Sequence, residues 1–103
     1  MQYISTRDAG PHYSASQSIA QGLARDGGLL TPFYNPKLPG KALEDLKGMS
    51  YQHRAVYVMK QSLEEFSLKE LTDFAGAAYG PDKFDTPAVA PLRTVDDSTH
   101  CLE

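Results

Sequence analysis

Two helix starts, at Ser50 and Ser67, limit the possible folds of this chain more than any other feature. A serine just before a helix accepts a hydrogen bond from a free backbone N–H of the first turn. Ser50 precedes Tyr51, Ala55, Met59 and Leu63, which recur at intervals of four and so share one helical face. Val56 and Val58 widen that stripe, so this helix is expected to be covered on more than one side. Ser67 with Glu70 forms a capping box, in which each side chain satisfies the other residue's backbone N–H. Behind it Leu68, Leu71, Phe74, Ala75 and Ala78 face one way, and Gly80-Pro81 ends the helix. Only a few residues separate the two helices, so they are expected to pack antiparallel as a hairpin. Tyr51, Tyr57, Phe66, Phe74 and Tyr79 are read as packing groups of that hairpin.

The segment before it is less regular. Met1 to Thr6 reads as a short strand, broken by Asp8, Ala9, Gly10 and Pro11. Ser14 and Gln17 make another capping box, and Ala15, Ile19 and Leu23 then fall on one face. Asp26-Gly27-Gly28 is a turn, because glycine tolerates positive φ. Leu29 to Thr31 is a second strand ended by Pro32, and Pro32 to Gly40 is a proline-containing surface loop. Lys41 to Leu46 makes a helical turn or two, stopped near Gly48. In the tail, Pro87 and Pro91 oppose helix. Ala90 to Val95 and Thr99 to Leu102 read as two strands around an Asp96-Asp97-Ser98 turn. The predicted class is α+β: a small, mainly helical domain with short strands at both ends.

Charge and composition exclude some partners. The net charge is −3, and no basic run is present. Nucleic-acid binding needs a positive face for the phosphates, so DNA and RNA are not expected partners. The longest mid-chain apolar run is Ala55 to Met59, far below the roughly 20 apolar residues of a membrane span. The start of the chain has no basic region followed by an apolar run. Cys101 is the single cysteine and has no internal partner for a disulfide. A cytoplasmic location is the expectation.

Few residues suggest chemistry on their own. His100 and Cys101 are adjacent, but zinc needs three or four ligands, and His12 and His53 lie far off in sequence. The expectation is that the pair ends a strand with Cys101 packed as a small hydrophobe. Asp26-Gly27-Gly28 lacks the longer pattern of a phosphate loop and reads as a plain turn. Ser5, Thr6 and Arg7 place two hydroxyls beside a guanidinium, whose planar donors suit phosphate. The competing reading is a solvated strand end with Arg7 paired to Asp8. In Glu64-Glu65 and Asp96-Asp97 neighbouring carboxylates point apart, so both pairs are expected to be solvated.

Taken in order, several segments resemble the start of the threonine synthase family. They are Tyr3-Ile4-Ser5-Thr6-Arg7, Gly22-Leu23-Ala24-Arg25-Asp26-Gly27-Gly28-Leu29, Pro32, Ser50-Tyr51, Val89-Ala90-Pro91-Leu92 and His100-Cys101-Leu102-Glu103. The second is the most specific. The resemblance implies a fold-type II pyridoxal-phosphate enzyme that converts O-phosphohomoserine and water to threonine and phosphate. It implies that residues 1–103 are the N-terminal domain, with 83–103 leading into a catalytic domain.

In that family the cofactor lysine lies in a His-Gly-Pro-Thr-type segment just after the Cys-Leu-Glu-like strand. Lys37, Lys41, Lys47, Lys60, Lys69 and Lys83 match no such segment. The resemblance therefore places no catalytic, cofactor-binding or metal residue on this chain. The expectation is that this segment alone neither binds pyridoxal phosphate nor turns over substrate. Ser5, Thr6 and Arg7 are the candidates for facing the active-site cleft. The catalytic domain of the same chain is the expected partner, and the parent's substrate is a small molecule. Two alternatives are a related phospho-lyase on another phosphorylated amino acid and a stand-alone, non-catalytic interaction module.

Overall fold

The computed structural model describes residues Met1–Glu103. In chain order the elements are β1 (Tyr3–Ser5), α1 (Ala15–Gln21), β2 (Leu30–Pro32), α2 (Ala42–Lys47), α3 (Tyr51–Ser62), α4 (Leu68–Ala78), β3 (Leu92–Thr94) and β4 (His100–Leu102). The α+β class and the strands at both ends are as expected, although each strand is only three residues long.

The helical hairpin forms as its caps predict. Ser50 Oγ accepts the His53 N–H, and Ser67 and Glu70 complete their capping box. Lys60 Nζ secures the short connection by donating to the carbonyls of Glu64 (3.1 Å) and Phe66 (2.7 Å). Antiparallel packing brings the start of α3 to the end of α4. Gln52 Nε2 donates to the Tyr79 carbonyl at 2.7 Å, and the Tyr51 and Tyr79 rings meet edge-on at 4.9 Å. Phe66 and Phe74 make a second edge-on pair at 6.1 Å.

The core is Val56, Leu71 and Ala75, with Ala55, Met59, Leu63, Phe66 and Tyr79 packed around it. The expected stripe on α3 is therefore displaced. Val56 is its buried centre, while Tyr51, Ala55, Met59 and Leu63 are half-buried flanks. Val58 is 49% exposed rather than covered. Each residue advances about 100° round a helix, so Val58 lies about 200° from Val56, on the side that α4 does not reach. Leu68 and Phe74 also stay largely exposed, because α4 buries only its Leu71–Ala75 edge.

The N-terminal segment wraps onto the loop of that hairpin. β1 and β2 pair antiparallel, with Tyr3 opposite Pro32 and Ser5 opposite Leu30, so Pro32 closes the strand from within. The Tyr3 hydroxyl donates to the Ser62 carbonyl at 3.1 Å. The Met1 ammonium pairs with Glu64, and Glu65 accepts the Ser16 backbone N–H. Glu64 and Glu65 are exposed, but they fasten β1 and α1 instead of standing merely solvated.

Helix α1 starts at its predicted capping box and ends at Gly22, whose φ of +76° is in the left-handed region. Its buried edge is Ala15 and Ser18, not the Ala15–Ile19–Leu23 stripe. Ile19 is 64% exposed, and Leu23 has already left the helix to pair with Leu29. Helix α2 is held from α3, where Arg54 donates through Nε to the Leu46 carbonyl (2.9 Å) and through Nη2 to that of Lys47 (3.3 Å).

The tail forms the expected hairpin with shorter strands. Leu92 pairs with Leu102 and Thr94 with His100 around an Asp96–Ser98 turn. Every residue of both strands is exposed. Cys101 is thus not packed as a small hydrophobe, because nothing covers either face of this two-stranded ribbon.

Candidate functional site

The candidate residues Ser5, Thr6 and Arg7 sit where β1 meets the turn that follows α1. That turn is built by the glycines. Leu23 pairs with Leu29, and the three-residue loop Arg25-Asp26-Gly27 is closed by two 2.9 Å bonds, Gly27 N–H to Ala24 O and Ala24 N–H to Gly28 O. Gly27 has φ +78°, the left-handed position that a three-residue hairpin loop requires. The ladder between β1 and β2 then runs on past Ser5. The Thr6 N–H donates to the Leu29 carbonyl at 2.9 Å, and the Leu29 N–H donates to Thr6 Oγ1 at 3.0 Å.

Side chains lock the two loops into a clasp. The Ser5 hydroxyl donates to Asp26 Oδ1 at 2.8 Å, and the same oxygen accepts the Gly28 N–H at 2.8 Å. Ser5 Oγ in turn accepts the Arg7 N–H at 3.1 Å. Arg7 Nη1 donates to the Asp26 carbonyl at 3.0 Å. Ser5 is buried, at 5% exposure, and its hydroxyl both donates and accepts within the clasp. Gly28 is small for a reason other than φ: a Cβ there would lie 2.1 Å from Ser5 Oγ and 3.0 Å from Asp26 Oδ1. At Gly27 a Cβ would stand 3.2 Å from Arg7 Nη1.

The electrostatics follow from the same bonds. The Gly28 N–H and then the Ser5 hydroxyl hold the Asp26 carboxyl below its usual range, with the Arg7 charge adding to them. Arg7 is exposed and pinned to the protein through Nη1 alone. Its other guanidinium N–H groups remain available in a fixed fork, a geometry that suits a carboxylate or phosphate.

The predicted ion pair between Arg7 and Asp8 does not form. Asp8 Oδ1 accepts the Gly10 N–H at 2.9 Å, and Arg7 turns to the Asp26 carbonyl instead. Asp26-Gly27-Gly28 is a turn, as read, but it is also half of the clasp. Asp26 and Gly28 are the residues that sequence reasoning missed. The available signal was the second glycine, which the turn itself does not need.

The remaining candidates stay apart. His100 Nδ1 lies 3.2 Å from Thr94 Oγ1 on the exposed tail hairpin. His12 pairs with Gln2 Oε1 at 2.8 Å, far along the chain from His100. No group of three His, Cys, Asp or Glu side chains is placed to hold a metal. Asp96 is occupied in its own turn, where chiefly the Ser98 N–H holds its carboxyl low.

The lysines do not fit a Schiff-base site, which calls for a desolvated amine. Lys60 is spent on two carbonyls. Lys47 and Lys69 pair with Glu44 and Asp73, and Lys37, Lys41 and Lys83 are exposed. No helix is long and apolar enough to cross a membrane.

Comparison with known proteins gives this geometry a context. Residues 2–79 match the family described as threonine synthase N terminus. The chain belongs to that family. It is 28% identical over 109 residues to threonine synthase of Methylobacillus glycogenes, covering 99% of this chain and 23% of that protein. It is 31% identical over 105 residues to the Schizosaccharomyces pombe enzyme, covering 100% of this chain and 20% of that protein.

Among solved structures, the PLP-bound threonine synthase of Brucella melitensis superposes with a TM-score of 0.82 at 34% identity. That match covers 100% of this chain and 22% of the other. The chain thus spans about a fifth of the length of the relatives it matches. Both halves of the clasp, Ser5–Arg7 and Asp26–Gly28, fall within the stretch that the threonine synthase N-terminal family covers.

Proposed function

We propose that this chain is the N-terminal domain of a threonine synthase that converts O-phosphohomoserine and water to threonine and phosphate. The observation that carries the reading is the likeness to the Brucella melitensis enzyme over the whole of this chain. Residues 1–103 are that domain, and within it 83–103 lead into the catalytic domain. The bare β3–β4 ribbon supports that division, because a two-stranded hairpin with no covered face has little stability by itself. The partner of this chain is then the catalytic domain of the same polypeptide, in the cytoplasm.

Pyridoxal phosphate supplies the electron sink for such chemistry when bound. Its lysine and phosphate cup are assigned to the parent's catalytic domain, since the lysines of this segment do not fit. The domain's own part is to close the cleft and exclude water from reactive intermediates. The Ser5–Arg7 segment faces that cleft, with Ser5 buried behind in the clasp and Arg7 presenting its free donors to the anionic substrate.

The test is the parent polypeptide with O-phosphohomoserine as substrate. Threonine and phosphate should appear in equal amounts, and Arg7→Ala should raise KM or lower kcat. If Arg7→Ala alters neither, Ser5–Arg7 do not face the cleft.

A further inference from the structure

The clasp joins two loops that are far apart in sequence, and its parts are unequal. Arg7 is the exposed end, with free donors. Ser5, Asp26 and Gly28 are the fixed end: the Ser5 hydroxyl, the Asp26 carboxylate and carbonyl, and the Gly28 N–H all bond within the clasp. An exposed arginine ordinarily samples many rotamers, and ordering it costs side-chain entropy. Here that cost is met before any ligand arrives. The Arg7 N–H is fixed by Ser5 Oγ, and its Nη1 by the Asp26 carbonyl. The Asp26 carbonyl is itself fixed because the carboxylate of the same residue bridges the Ser5 hydroxyl and the Gly28 N–H.

We infer that Asp26, with the side-chain-free Gly28, is a positioning element that sets the guanidinium of Arg7 for substrate. This rests on the reading that Ser5–Arg7 face the cleft of a threonine synthase. Asp26 touches no substrate and acts through Arg7. Gly28 is required because any β-carbon would occupy the place of the Ser5 hydroxyl. A preorganised arginine binds its anion more tightly than a free one, because less freedom is lost on binding.

The experiment uses the full-length parent enzyme and the variants Asp26→Ala, Gly28→Ala, Arg7→Ala and the two doubles with Arg7→Ala. Asp26→Ala removes the Oδ1 acceptor of both clasp bonds without crowding Ser5, and serves where Gly28→Ala folds poorly. Each single change at 26 or 28 should raise KM for O-phosphohomoserine about tenfold with kcat nearly unchanged, the pattern of lost uniform binding. In the Arg7→Ala background neither change should raise KM further, since residues acting through one group are not additive.

A purely structural role would lower the melting temperature and leave KM alone. If Arg7→Ala raises KM but Asp26→Ala and Gly28→Ala do not, the positioning role is wrong and the cleft-facing reading stands. If the changes at 26 or 28 add fully to Arg7→Ala, the positioning role is also wrong. If Arg7→Ala changes nothing, the cleft-facing reading fails and takes this inference with it.

Discussion

Replacing Gly28 by alanine tests the clasp in the isolated chain, where stability is the readout. The new Cβ would stand 2.1 Å from Ser5 Oγ, inside any permitted contact. The shortest escape is rotation of Ser5, which gives up its bonds to Asp26 Oδ1 and to the Arg7 N–H. Ser5 is 5% exposed, so its hydroxyl finds no water in exchange. Leaving such a group unsatisfied costs about 1–3 kcal/mol, and crowding of this kind costs a similar amount. Against this, alanine restricts the unfolded chain and returns about 0.4–1 kcal/mol where its backbone is tolerated. The net expectation is a loss of about 2 kcal/mol.

Gly48→Ala is the internal control. Its φ is −83°, and a Cβ there meets nothing within 4 Å, so the same unfolded-state gain appears without the clash. Thermal or urea denaturation followed by far-UV circular dichroism reads both. At about 4–8 °C per kcal/mol for a domain near this size, Gly28→Ala should lower Tm by about 10 °C. Gly48→Ala should leave Tm unchanged or slightly raised. Ser5→Ala should soften the penalty of Gly28→Ala, because the atom it strikes is gone. Equal melting temperatures for Gly28→Ala and Gly48→Ala would refute the clasp as described.

Other outcomes follow from the same structure. Leu71→Ala, at the centre of the hairpin core, should cost about 2–5 kcal/mol, while Leu68→Ala on the exposed side should stay within about 0.5 kcal/mol; chemical denaturation checks both. Asp26, Glu70 and Asp96 all have carboxyls held low by hydrogen bonds. A depressed folded-state pKa gives stability that is present above the unfolded value and is lost as pH falls through the folded one. The domain should therefore weaken below about pH 4, and Asp26→Asn should flatten that acid limb in a pH series of melts. In amide hydrogen exchange, β3 and β4 should exchange fast while α4 near Leu71 exchanges slowest, because the tail ribbon has no covered face.

What could be read in advance was what short-range chemistry decides. Ser14, Ser50 and Ser67 each begin a helix as their capping patterns require. The Asp96–Ser98 turn was legible for the same reason. Burial was less legible, because it depends on which neighbour arrives. Val58 and Ile19 continue apolar patterns, yet no second element comes to cover them. The partner of Arg7 was hidden in the same way. Asp8 is adjacent in sequence, but the antiparallel register of β1 and β2 brings Asp26 to it instead. Cys101 stays exposed for the same reason, since no element of the chain covers the tail hairpin.

Whether this domain serves a threonine synthase is open to direct test. The most direct test offers the parent polypeptide, in separate assays, O-phosphohomoserine and O-phosphothreonine, and quantifies threonine and phosphate. Threonine and phosphate should appear in equal amounts from O-phosphohomoserine, with little reaction of O-phosphothreonine. Phosphate release without threonine from either compound, or no reaction with O-phosphohomoserine, would contradict it.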